Sequence, residues 1–128
     1  QQYKANQIGK YKTEALAENL IEIAPYIRIE TVTQKLTEEN CTDYLSEVDV
    51  ICEAFDDAQA KAMLVNAVLE RLPHHYLVAA SVMKRFYVCG DEVSDVEDTI
   101  GLVAPRVMLC AAHQAQIVLR ILAGEFEV

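Results

Sequence analysis

The order of helical and extended patterns along this chain predicts an α/β fold, Rossmann-like, with a largely parallel sheet flanked by helices. Three observations carry the prediction. Residues 48–55 and 76–80 are short apolar runs, the length of strands buried on both faces. Amphipathic helical patterns at residues 10–24 and 58–72 separate the extended stretches. The chain has 128 residues, 52% of them apolar and 24% charged, which is enough for one core and too little for two.

Each element has its own signal. In residues 10–24, Leu16, Leu20, Ile21 and Ile23 fall at spacings of one helical face, between Gly9 and Pro25. Residues 27–33 alternate with period two and are rich in β-branched side chains, so they read as a strand. Thr37 offers a cap for a short helix through Ser46. Residues 48–55 form an apolar strand ending in Asp56 and Asp57, and the helix over 58–72 stops before Pro73. After the strand at 76–80, residues 85–89 suggest a further strand. Residues 90–99, with five acids, suggest an exposed loop. Residues 105–123 suggest an apolar helix closed by Gly124. One join is anomalous: at Ser81–Val82 a strand runs on with no turn, although parallel strands need a crossover. A segment is therefore expected to be missing there.

Composition excludes several function classes. A formal charge of −9 leaves no basic stripe for nucleic acid. No apolar run reaches the roughly 18–20 residues of a membrane span, and no signal segment is visible. Cys41, Cys52, Cys89 and Cys110 are scattered without a CxxC pair, so neither a disulfide framework nor a zinc knot is expected. A cytoplasmic protein with reduced thiols fits. The four glycines, Gly9, Gly90, Gly101 and Gly124, are too dispersed for a phosphate-cradling loop within these residues.

The sharpest chemical signal is Asp56–Asp57 at a strand end before a helix. Ligands of open parallel sheets bind beyond the carboxyl ends of the strands, and a carboxylate there suits magnesium on a nucleotide. The competing reading is that one of the two acids caps the helix. Lys12, one turn into the first helix, has the reach and charge to meet a phosphate, against the plainer reading of a solvated lysine. His74–His75 lack a surrounding ligand cluster, His113 reads as a packed or interfacial helix residue, and Cys89 as an exposed thiol. Eight acids and no base separate Lys35 from Lys61, which reads as a solvated face.

Several stretches together resemble the ThiF/MoeB/HesA family, relatives of the ubiquitin-activating enzymes. The first is Gln1-Gln2-Tyr3 with residues 7–12 and 20–25, similar to the segment after that family's SNLNRQ motif. Leu36-Thr37-Glu38-Glu39-Asn40, the strand ending Glu53-Ala54-Phe55-Asp56-Asp57, and residues 61–66 follow in the same order. Residues 101–124 resemble its final helix. The resemblance is strongest to the ThiF branch that activates the sulfur carrier ThiS for thiamine thiazole synthesis. It implies a Rossmann-like fold lacking its N-terminal part, with residues 1–128 the C-terminal part of one nucleotide-binding domain. It also implies adenylylation of the C-terminal glycine of a small ubiquitin-like sulfur-carrier protein, with ATP and magnesium, in a homodimer. By the same resemblance Lys12 matches the lysine on the ATP phosphates, Asp56 the aspartate that binds magnesium and nucleotide, and Leu36 a backbone position near the adenine. Asp57, where the family usually has Asn, belongs to the nucleotide-binding stretch, and Lys61 stands where Arg is frequent. The family's zinc CxxC pairs are missing, so no structural zinc is expected. Two other readings stay open: a non-catalytic interaction subunit that keeps the fold and docks a carrier, and a nicotinamide-dependent dehydrogenase sharing only the fold.

Overall fold

The computed structural model describes the backbone of residues 3–79, 86–88 and 104–125, and the side chains of 3–79 and 107–125. It divides into two compact units, Gln1–Lys35 and Leu36–Val128. The Ser81–Val82 junction, Cys89 and the acidic stretch 90–99 lie outside the described residues.

The first unit is a 3-10 turn, Ala5–Gln7, followed by helix α1, Lys12–Ile23. Gly9 takes a positive φ of 93° between them, a backbone state that glycine adopts without steric cost. The buried centre is polar. Gln7 donates from Nε2 to the Ala15 carbonyl at 3.2 Å and to Asn19 Oδ1 at 3.0 Å, while its Oε1 accepts the Lys4 N–H at 2.9 Å. Ala15 is the buried residue of α1. Leu16, Leu20, Ile21 and Ile23, expected as a core face, are exposed instead, Ile23 to 77%. Helical spacing groups apolar side chains on one face but does not supply a surface to bury them against. Residues 27–33, expected as a strand, are irregular, and all but Ile29 are exposed. Their β-branched composition favours a pleated, half-buried surface, and among the described residues they pair with no strand.

The second unit holds the sheet. Strands β1, Val50–Cys52, β2, Tyr76–Ala79, and β3, Phe86–Val88, lie in the order β1-β2-β3. Both pairs are parallel, with Ile51 opposite Leu77 and Val78 opposite Tyr87. The strands expected at 48–55, 76–80 and 85–89 are thus present, each shorter than expected. Before them comes helix α2, Cys41–Leu45. Thr37 and Asn40 exchange two bonds ahead of it: the Thr37 N–H to Asn40 Oδ1 at 2.7 Å, and the Asn40 N–H to Thr37 Oγ1 at 3.4 Å. This reciprocity is that of a capping box, with Asn in the place of Glu or Gln.

Helix α3, Ala58–Arg71, makes the crossover from β1 to β2. Its Leu64 and Val68, with Leu72 just beyond it, pack on Ile51, Leu77 and Ala79 of the sheet, with Leu36, Leu45, Phe55 and Val65 at the margin. Alternation along the strands turns Cys52 and Val78 the other way. Helix α4, Ala104–Leu122, packs against all three strands. It presents the stripe Cys110, Gln114, Ile117, Val118 and Ile121, which is buried or half-buried, while Met108, Leu109, Leu119 and Leu122 remain exposed. His113, expected to be packed or interfacial, is not packed but exposed. It stands about 100° round the helix from Gln114, off the inward stripe. Gly124, at φ 77°, closes α4 as expected: its N–H donates to the Ile121 carbonyl at 3.0 Å and the Glu125 N–H to the Arg120 carbonyl at 2.9 Å. These are the two bonds of a Schellman motif.

Candidate active site

The candidate site of the second unit is the turn from β1 into α3. Both acids at the strand end are exposed, but they do different things. Asp57 is the N-cap of α3: its backbone is extended (φ −91°, ψ 123°) and Oδ1 accepts the Ala60 N–H at 2.7 Å. Asp56 makes no hydrogen bond or ion pair among the described residues. The capping role that the sequence left open between the two acids falls on Asp57. Leu36 is half-buried against the apolar core of the same unit.

The turn carries a third carboxylate that the sequence pattern did not flag as important. Glu53, the first residue after β1, is 1% exposed. Its N–H extends the ladder to the Val78 carbonyl at 2.8 Å, and its own carbonyl accepts Gln114 Nε2 of α4 at 2.9 Å. Its Oε1 accepts the Phe55 N–H at 2.6 Å. Its Oε2 faces the Lys61 ammonium at 3.1 Å, an ion pair without hydrogen-bond alignment. The eight acids between Lys35 and Lys61 are thus not one solvated face. Glu53 is interior, and Glu38 is paired with Arg71 at 2.7 Å. The sequence signal for Glu53 is an acid directly after the apolar Val50-Ile51-Cys52, followed by a lysine near the start of the next helix.

In the first unit, Lys12 is the first residue of α1 rather than one turn into it, because Tyr11 at φ −63°, ψ 142° is the N-cap. It is exposed and lines an open groove with Tyr11, Thr13, Val32, Thr33, Gln34 and Lys35. A cation at the amino end of a helix, beside free backbone N–H groups, suits an anionic ligand.

The remaining candidates resolve simply. His75 Nε2 lies 3.1 Å from the Ser46 carbonyl, tying the α3–β2 loop to the end of α2, and no group of three or more metal-binding side chains occurs among the described residues. Cys41 and Cys52 are free thiols. Cys41 is buried with Sγ on the Glu38 carbonyl at 3.4 Å. Burial pushes the Cys52 thiol up from its ordinary value, and the neighbouring Glu53 and Cys110 add to the shift.

Comparison with known families decides the wider identity. The sequence model of the ThiF family matches residues 1–88. The chain belongs to the ThiF family. Neither a curated protein nor a solved structure matches it. The ThiF family is one of adenylyltransferases related to the ubiquitin-activating enzymes; its members use ATP, typically with magnesium, and generally interact with ubiquitin-like carrier proteins. The parallel sheet with a helical crossover agrees with that membership. No helix among the described residues is long and apolar enough to cross a membrane.

The donor chemistry of this ThiF-family chain suits the metal its family uses. Magnesium prefers hard oxygen ligands and is held on nucleotides by one or two carboxylates, with phosphates and water completing the shell. Asp56 offers one uncommitted carboxylate at the carboxyl end of a parallel strand. Lys12 is a point charge of the kind that meets phosphate oxygens.

Proposed function

We propose that this chain serves an ATP-dependent adenylyltransferase that activates the C-terminal glycine of a small ubiquitin-like sulfur-carrier protein, ThiS-like, in thiamine thiazole synthesis. The observation that carries the reading is the exposed Asp56 carboxylate. It stands uncommitted beside a capping Asp57, at the strand end where open α/β sheets bind ligands, in a chain of this family. In the reaction a carboxylate oxygen of the carrier attacks the α-phosphorus of ATP. The bond from that phosphorus to the bridging oxygen breaks, and pyrophosphate leaves with its electron pair. Asp56 would hold magnesium, which when bound offsets the charge of the phosphate oxygens. Lys12 would hold the polyphosphate in place by its ammonium. Leu36 would lie near the adenine, and Asp57 would contribute by fixing the start of α3 beside the nucleotide. A homodimer in the cytoplasm, with no structural zinc, completes the reading.

Carrier-dependent exchange of pyrophosphate into ATP tests it. In the intact protein, Lys12→Ala and Asp56→Ala should each lower the exchange rate about 100- to 1000-fold, as loss of one preorganised electrostatic partner does. The far-ultraviolet circular dichroism should stay unchanged. Exchange at the parent rate in both variants would overturn the assignment of these residues. A parent that binds a ThiS-like carrier yet never exchanges pyrophosphate would instead be the non-catalytic interaction subunit.

A further inference from the structure

Glu53 is costly where it stands. Moving a carboxylate out of water is worth several kcal/mol of penalty, and a buried ion pair often contributes less than an apolar pair of the same volume. Its strand neighbours Ile51, Leu77 and Ala79 show that the interior beside it is apolar. Burial of a charge here needs another explanation than stability, and the contacts of the side chain suggest one. Oε1 holds the Phe55 N–H, the amide immediately before Asp56. Oε2 holds Lys61, whose backbone N–H bonds the Asp57 carbonyl at 3.0 Å, immediately after Asp56. Strand, turn and first helical turn are therefore tied through one buried carboxylate, and Asp56 is the residue enclosed by those ties. Within it, Phe55 is half-buried against the core and Asp57 is fixed as a cap. Asp56 keeps its carboxylate uncommitted while its backbone is held from both sides.

We propose that Glu53 and Lys61 are positioning residues, which hold the β1–α3 turn in the one conformation that presents the Asp56 carboxylate to a nucleotide-bound divalent cation. The inference rests on the reading of Asp56 given under Proposed function. Groups that orient a metal's carboxylate ligand tune its affinity without touching the metal, and their loss typically costs about 10- to 100-fold in metal affinity. Lys61 is the better handle, because its ammonium is partly exposed whereas the Glu53 side chain is fully buried.

The test is isothermal titration calorimetry of ATP binding to the intact protein, once in magnesium and once in EDTA, with thermal melting as a check on folding. Lys61→Met should weaken binding in magnesium about 10- to 100-fold and leave binding in EDTA unchanged. Lys61→Arg should restore the parent affinity to within about twofold, since a guanidinium also reaches a carboxylate. Glu53→Gln should reproduce the magnesium-specific loss if it folds. Asp56→Ala, run alongside, separates the two readings. If Asp56→Ala abolishes the magnesium dependence and Lys61→Met keeps the parent affinity in magnesium, the positioning proposal alone is overturned. If Asp56→Ala leaves the magnesium dependence intact, the reading of Asp56 fails and the proposal fails with it. Equal losses for Lys61→Met in magnesium and in EDTA, or no rescue by arginine, would also overturn it.

Discussion

At the centre of residues 3–35 the buried side chain is an amide, Gln7, bonded to backbone and polar side chains of α1. At the centre of the second unit the buried side chains are aliphatic: Ile51, Leu64, Val68 and Leu77. Helices α1 and α3 both carry apolar residues at helical spacing, yet α3 buries Leu64, Ala67 and Val68 while α1 buries Ala15 alone. The difference teaches that amphipathic spacing is a capacity for burial, realised only where a sheet face of matching shape is present. Where it is absent, specific hydrogen bonds have to hold the helix, and such bonds add about 1 kcal/mol each rather than the larger amounts of aliphatic burial.

The largest test of this contrast compares two truncations. Leu64→Ala should destabilise the protein by about 2–5 kcal/mol in urea unfolding, through lost burial and the cavity left behind. Leu16→Ala, on the exposed face of α1, should change stability by no more than about 0.5 kcal/mol. Equal costs would break the comparison, because α1 would then have an apolar partner in solution.

A second variant addresses the polar centre. Gln7→Ala removes the amide that satisfies the Lys4 N–H and the Ala15 carbonyl. It should cost about 1–3 kcal/mol, seen as faster hydrogen exchange of α1 amides with α3 unchanged. Uniform acceleration in both helices would mean that the two units unfold as one.

A smaller effect comes from capping. Asp57→Ala frees the Ala60 N–H and should cost about 1 kcal/mol, with Asp57→Asn near neutral because asparagine caps equally well. An equal loss in both variants would point to a role of the charge itself.

The smallest is a pH effect confined to the first unit. Hydrogen bonds from Lys10 and then Gln7 hold the Glu18 carboxyl below its ordinary value of 4.5. A folded value below the unfolded one favours folding above the unfolded value. That contribution is lost as pH falls through the folded value. Protection of α1 amides, measured relative to their intrinsic exchange rate at each pH, should therefore fall below about pH 4.5, and less so in high salt, because the carboxylate is exposed. No acid-side change in α1, with Gln7 intact, would remove Glu18 from the network.

The legibility of the fold follows from the range of the forces involved. Strands β1 and β2, the start of α3 at Asp57, its end before Pro73 and the Gly124 closure of α4 were readable in the sequence. Each depends on a residue and its neighbours within one turn or one strand. The resemblance to the ThiF family was readable for the same reason, since it rests on stretches in colinear order. Which of Asp56 and Asp57 caps the helix was not readable, because two adjacent carboxylates offer the same chemistry and only backbone geometry separates them.

What the sequence determined by itself is the α/β class, the strands on either side of α3 and the family, all functions of local pattern. Tertiary structure decided the rest. It buried Glu53 against Lys61 and under a bond from Gln114, 61 residues away, and buried Gln7 among residues of α1. It left residues 27–33 without a ladder and turned His113 outward. Burial of a polar group is set by whether distant chain brings it a partner, and strand formation by whether distant chain brings it a ladder. Neither is written in the residue's own neighbourhood.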